Sequence, residues 1–241
     1  MFNLGEAADI ARRGRLALHL KMASSQRHGP SFVAIAPPSR KLALTYDDGP
    51  NDPHTNRLMA VLDRHGVRAT FFLIGQSVES HPHIARSLVA AGHAIGNHSY
   101  SHPDLTTLSA TEVRDELRRA TCAIEDVMDV TPALFRPPFG RRNQGVLEIA
   151  RELGMTPVMW SAAAYDWTAT SHEDLANTLR SQIRGGEVIQ FHDGDHRKPG
   201  GDRSVCVRAT DELVAHYHSI GFEFVTVTEM MASAESEVAV P

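Results

Sequence analysis

The stretch K-L-A-L-T-Y-D-D-G-P, residues 41–50, is an apolar run that ends on two adjacent carboxylates and stops at a Gly-Pro turn. In a continuing strand Asp47 and Asp48 would point to opposite faces; a chain that leaves the strand there lets both address one site. Their mutual repulsion asks for a cation nearby. Taken alone, Asp-Asp-Gly reads rather as a helix cap or a turn with solvated acids.

Working outward, further strand-like runs occur at 69–74 (A-T-F-F-L-I), 93–97 (H-A-I-G-N), 133–136 (A-L-F-R), 156–160 (T-P-V-M-W), 187–191 (E-V-I-Q-F) and 222–226 (F-E-F-V-T). Helical patterns lie between most of them, such as H-T-N-R-L-M-A-V-L-D-R-H-G, with Gly66 as a stop signal, and I-A-R-S-L-V-A-A-G, ending at Gly92. Strand and helix alternating about seven times predict a parallel sheet covered by helices, open or closed into a barrel. In such folds chemistry sits where strands end, so polar residues at those ends carry the functional reading.

The 241 residues suffice for one large α/β domain. With 24 Lys and Arg against 29 Asp and Glu the formal net charge is −5, so no basic footprint for nucleic acid or anionic lipid is present. Cys122 and Cys206 fit no metal spacing and read as core residues of a reduced compartment, with a single disulfide between them as the alternative. Near the N-terminus Leu4, Ala8, Ala11, Leu18 and Met22 share one helical face. The apolar run there is broken at His19, too short for a signal-peptide core or a membrane span, so a cytoplasmic protein is expected. The turn-rich segment up to Arg40 reads as a linker. The expected organisation is a helix and linker over 1–39, a main domain over 40–230 and a fraying tail over 231–241.

Histidines abound, 14 in all, so a single His-x-x-x-His pair says little. His98 and His102 in N-H-S-Y-S-H-P-D-L form one such pair, and His192 and His196 in F-H-D-G-D-H another. Two imidazoles and a carboxylate make a ligand set used by catalytic zinc and by ferrous oxygenases. Three more strand ends supply R-P-P-F-G (136–140), Y-D-W (165–167) and V-I-Q-F-H-D (188–193). Each has a structural reading of its own: a surface Arg before a turn, an Asp cap beside a core Trp, a His in a loop.

The ordered set of Asp-Asp, His-x-x-x-His, Arg-Pro-Pro-Phe-Gly, Asp-Trp and a strand-terminal His resembles the polysaccharide deacetylase family, carbohydrate esterase family four, over residues 40–230. The resemblance implies an α/β fold, a distorted (β/α) barrel of about seven parallel strands, here with an N-terminal helical extension. It implies that Asp48, His98 and His102 bind zinc, with cobalt or another divalent ion as alternatives. Asp47 would be the general base toward the metal-bound water, oriented by Arg136. The backbone of Phe139, where the family usually has Tyr, would stabilise the oxyanion. His192, held by Asp166, would protonate the leaving amine, and Trp167 would wall the acyl pocket.

Two positions depart from the family pattern. Gln190 stands where Leu is common, on the same strand face as His192. It implies a shallower pocket, a different acyl group, or an amide bonded to a neighbour. Ala163 replaces an acid that many relatives carry.

The implied activity is hydrolysis of N-acetyl groups from N-acetylglucosamine-containing saccharides of chitooligosaccharide or peptidoglycan type. O-acetyl ester hydrolysis on acetylxylan and amide hydrolysis on a non-sugar compound are the alternatives within that chemistry. An iron oxygenase on the same ligands would leave Asp47, Arg136, Asp166 and His192 without a task. A silent carbohydrate-binding domain would lack a ligand or the base, and here every such position is filled. The expected partner is an acetylated sugar, with no nucleic acid and no membrane segment.

Overall fold

The computed structural model describes residues 31–238. The helix expected at the N-terminus lies outside the described residues. Strands β1 (Lys41–Asp47), β2 (Thr70–Leu73), β3 (Ala94–Asn97), β4 (Leu134–Phe135), β5 (Thr156–Pro157), β6 (Ala162–Ala163), β7 (Val188–His192) and β8 (Glu223–Phe224) are joined by parallel pairings. Seven run in the order β5-β4-β3-β2-β1-β7-β6, and β8 pairs with the first residues of β1. This curled sheet with helices outside it is the distorted (β/α) barrel expected. Strand β6 was not foreseen, because two alanines carry no periodicity to read.

The helices are α1 (His54–Arg64), α2 (Gly75–Ser80), α3 (Pro82–Ala90), α4 (Ala110–Met128), α5 (Gln144–Glu152), α6 (His172–Gln182), α7 (Ser204–Ser219) and α8 (Val227–Val238). Among the described residues no helix is long and apolar enough to cross a membrane. Helix α4 begins with a reciprocal cap in which Ser109 accepts from the Glu112 amide and Glu112 from the Ser109 amide. Residues 231–238, part of the segment expected to fray, continue α8, and Met230 on that helix is fully buried. Both cysteines are free. Cys206 is buried as expected, whereas Cys122 lies exposed on α4, on the face turned away from Leu117, Ala120 and Ile124.

Strand alternation decides what reaches the site. Leu42, Leu44 and Tyr46 of β1 join Ile189 and Phe191 of β7 in a core shared with Leu58, Leu62, Leu213 and Val214 of the covering helices. Tyr46 stacks between Phe71 and Phe191, with ring centroids 5.1 and 5.8 Å apart, and its hydroxyl meets Thr210 Oγ1 at 2.9 Å. The other face of the same strands points into the barrel. Register pairs Ala43 with Val188, Thr45 with Gln190 and Asp47 with His192. The interior ladder therefore turns from apolar to polar to ionisable over three steps, toward the carboxyl ends of the strands. Each buried leucine of the outer core contributes about 2–5 kcal/mol against truncation to alanine, which fixes the register that aims Asp47 and His192 inward.

Among the described residues no strand bridges the edges formed by β5 and β6. The segment expected to be only a linker spans that gap: Phe32 exchanges backbone hydrogen bonds with Pro157 and Met159 at 2.8 Å each, and the Ile35 amide donates to Gly186 at 3.0 Å. Gly186 permits this approach, because its φ is +95° and a Cβ there would stand 2.4 Å from the Ile35 carbonyl oxygen. Gly186→Ala is therefore expected to destabilise the protein by at least the roughly 1–3 kcal/mol of a strained backbone position. A lowered urea midpoint checks this; an unchanged midpoint would show that the strap does not support the barrel.

Candidate metal centre and active site

Every strand end singled out in the sequence meets at one end of the barrel. Asp47 closes β1, and Asp48 follows it with a left-handed backbone (φ 74°). His98 and His102 come from the loop after β3, where Ser99 (φ 64°) and His102 (φ 59°) are also left-handed. Phe139 (φ 57°) after β4 and Tyr165 (φ 53°) after β6 share that conformation. Among the described non-glycine residues only Asp129, which ends α4, has a positive φ away from these loops. Backbone held in such regions persists where the surroundings over-determine it, and here it clusters around one site.

At the centre lies Arg136, a fully buried guanidinium. Its Nη1 donates to Asp47 Oδ1 at 2.7 Å and to Thr45 Oγ1 at 2.8 Å, and its Nη2 donates to the Met159 carbonyl at 3.1 Å. The guanidinium also lies over the Phe72 ring, 4.1 Å from its centroid. Gln190 Nε2 donates to the second oxygen, Asp47 Oδ2, at 2.7 Å. Of the three meanings open for Gln190, its amide takes the last, a bond to a neighbour. Burial pushes the Asp47 carboxyl up, but the Arg136 charge, the His192 charge and the Gln190 bond outweigh it, so Asp47 is held below the usual carboxylate range.

Beside this carboxylate, Asp48 Oδ1 stands 3.4 Å from His98 Nε2 and 3.3 Å from His102 Nε2. That oxygen is buried and has no hydrogen-bond partner, which is costly for a carboxylate unless a cation completes it. His98 Nδ1 donates to the Arg136 carbonyl at 2.7 Å, fixing the tautomer that turns a bare Nε2 toward Asp48. Burial lowers the His102 imidazole to about 3, so its ring is neutral. One ligand atom from each of Asp48, His98 and His102 lies within 4.8 Å of the others. Imidazole and carboxylate donors with a neutral ring, a fixed tautomer and an orphaned oxygen fit a divalent ion.

On the other side of Asp47, His192 Nδ1 meets Asp166 Oδ1 at 2.8 Å, while the His192 amide donates to Asp166 Oδ2, also at 2.8 Å. Burial alone would lower the imidazole; the Asp166 charge and hydrogen bond prevail and raise it to about 9. Trp167 meets the His192 ring edge-on at 5.0 Å. Phe139 (45% exposed), Tyr165 (65%) and Trp167 (49%) are three of the four large apolar side chains exposed among the described residues, and all three lie at this mouth. Ala163 lies on β6, where Gln182 brackets its backbone with bonds of 3.1 Å to the amide and 2.8 Å to the carbonyl.

The sequence profile of the family described as polysaccharide deacetylase matches residues 34–158, more than half of the chain. The chain belongs to the polysaccharide deacetylase family. It is 36% identical over 194 residues to the chitooligosaccharide deacetylase of Bradyrhizobium sp. (strain ANU 289), covering 77% of this chain and 88% of the relative. It is 32% identical over 195 residues to a peptidoglycan-N-acetylglucosamine deacetylase of Bacillus cereus, covering 81% and 70%. Among solved structures, the Bc1960 peptidoglycan N-acetylglucosamine deacetylase, in complex with an N-oxidanyl-benzamide, superposes with a TM-score of 0.78 at 31% identity, over 83% of this chain and 92% of that one. In this polysaccharide deacetylase, then, an Asp-His-His group able to hold a metal stands beside a buried base candidate.

Two parts of the site were not foreseen. Asp193, next to His192, is buried, takes a hydrogen bond from Thr55 and is pushed up to about 7 by its burial. His196, noted only as half of a histidine pair, turns away from His192 and bonds Asp48.

The raised value of His192 has a definite sign. Its contribution to stability is fully present below its ordinary value of 6.5 and is lost as pH rises through about 9. In metal-free protein, NMR of the imidazole is expected to show His192 protonated at neutral pH and titrating near about 9. Asp166→Asn should bring that titration down to the ordinary range or below; an ordinary value in the wild type would contradict the pairing.

Proposed function

We propose that the protein is a divalent-metal-dependent deacetylase that hydrolyses the N-acetyl group of N-acetylglucosamine units in an oligo- or polysaccharide, leaving a free amine and acetate. One observation carries this reading: Asp47, held ionised, and His192, held protonated, occupy paired positions on neighbouring strands, with a ligand set beside the carboxylate. Hydrolysis of an amide needs a base on the attacking side and an acid on the leaving side, and these two groups supply both.

Asp48, His98 and His102 would hold the ion, and zinc suits a carboxylate with two imidazoles. When bound, such an ion would polarise the acyl oxygen and lower the pKa of a coordinated water to about 7. Asp47 accepts the proton of the attacking water. Arg136 and Gln190 each occupy one lone pair on its two oxygens, which orients the carboxylate and leaves it able to take that proton. His192 gives its proton to the departing nitrogen, and Asp166 stabilises the imidazolium beforehand through a charge-assisted bond.

The backbone N–H of Phe139, on its left-handed turn, is assigned to the oxyanion; one such donor supplies roughly 3 kcal/mol in acyl transfer. Trp167 closes the acyl side against His192. The exposed faces of Phe139, Tyr165 and Trp167 suit the apolar faces of a pyranose. The relatives named for chitooligosaccharide and for peptidoglycan N-acetylglucosamine support an N-acetyl rather than an ester substrate.

Acetate release from N-acetylglucosamine oligomers and from acetylated xylan tests this with zinc-loaded protein. Release from the chitin oligomers is expected; release from the xylan alone would overturn the substrate class.

A further inference from the structure

After β7 the chain folds back over the Asp47-Asp48 turn as a loop, residues 193–203. Gly194 allows the contact, since a Cβ there would stand 2.2 Å from the Asp48 carbonyl oxygen. Asn51 Nδ2 donates to the carbonyls of Asp193 and Gly201 at 3.0 Å each, and Arg203 Nε donates to the Gly194 carbonyl at 2.6 Å. Arg203 also pairs with Asp195 at 2.8 Å. The loop is therefore tied down at both ends, and its one imidazole, His196, is set against Asp48.

There His196 makes two contacts to the same carboxylate oxygen. Its amide donates to Asp48 Oδ2 at 3.2 Å, and its Nδ1 lies 3.0 Å from that oxygen. Arg197 Nε donates to His196 Nε2 at 3.3 Å. An Nε2 that accepts carries no proton, so the ring proton sits on Nδ1 and points at Asp48. Both donors engage Oδ2, which leaves Oδ1, the oxygen without a partner, facing His98 and His102. The same ring stacks on His102 at 3.9 Å and 24° between planes, and meets the edge of Phe139 at 5.1 Å.

We propose that His196 is a positioning residue of the metal centre: it holds Asp48 in the single orientation that offers Oδ1 to the ion, and it fixes the ring of His102 from behind. The inference rests on Asp48, His98 and His102 being the metal ligands. It assigns His196 no bond to the ion and no contact with substrate. A partner that orients a metal ligand by hydrogen bonding typically accounts for 10–100-fold in metal affinity.

Zinc affinity, measured by competition with a chromophoric chelator on wild type, His196→Ala, His196→Asn and His196→Gln, tests this, with thermal midpoints of the metal-free proteins recorded alongside. His196→Ala is expected to bind zinc about 10–100-fold more weakly. His196→Asn, whose amide nitrogen takes the place of Nδ1, should recover most of that loss, and His196→Gln, whose amide reaches only to the place of Nε2, should not. Should the alanine variant not fold, the contrast between Asn and Gln decides alone. Wild-type affinity in His196→Ala, or equal losses in Asn and Gln, would overturn the proposal. A wild type that binds no zinc would overturn the metal centre itself and the proposal with it, which separates the two failures.

Discussion

The buried ion pair between Arg136 and Asp47 is the interaction around which the site is built. Neither charge reaches water, and removing one partner of such a pair costs about 3–5 kcal/mol by stranding the other. The protein meets that risk with further bonds. Arg136 also holds Thr45, Val158 and Met159, Asp47 also accepts from Gln190, and Phe72 lies beneath the guanidinium. The carbonyl of the same Arg136 fixes the tautomer of His98. One residue after a two-residue strand thus connects Asp47, the barrel interior and His98, the proposed base and a proposed metal ligand. Gln190 extends the same logic: an amide in place of an apolar side chain supplies the second oxygen of Asp47 with a donor, so both oxygens are engaged before substrate arrives.

Much of this was legible because strand ends punctuate the sequence. The apolar runs from Lys41, His93, Ala133 and Glu187 are each stopped by a polar residue, and in a parallel barrel those stops share one rim. Asp47, Asp48, His98, His102, Arg136, Asp166 and His192 all stand there. Alternation alone placed Gln190 on the face of His192. What alternation does not carry is the partner, and the register pairing Thr45 with Gln190 is what brings that amide to Asp47.

The remainder depends on contacts between distant loops, which leave no local pattern. Phe32 and Ile35 close the open edge of the barrel from a segment rich in turn residues. Ala162–Ala163 becomes a strand only because Ile189 and Gln190 lie beside it. Asn51 joins two loops roughly 150 residues apart in sequence through the carbonyls of Asp193 and Gly201, Arg203 braces the second loop through the Gly194 carbonyl, and through them His196 reaches Asp48. The glycines that allow such approaches, Gly186 and Gly194, look in the sequence like ordinary turn residues.

The central claim is that Asp48 holds the ion while its neighbour Asp47 uses it. Metal content and turnover measured together on Asp47→Asn test it most directly. An isosteric amide keeps the shape of the side chain and removes its capacity to accept the proton, so a protein that retains wild-type zinc and releases no acetate is the expected result. Retained zinc with near-wild-type turnover would contradict the assignment of Asp47 as the base.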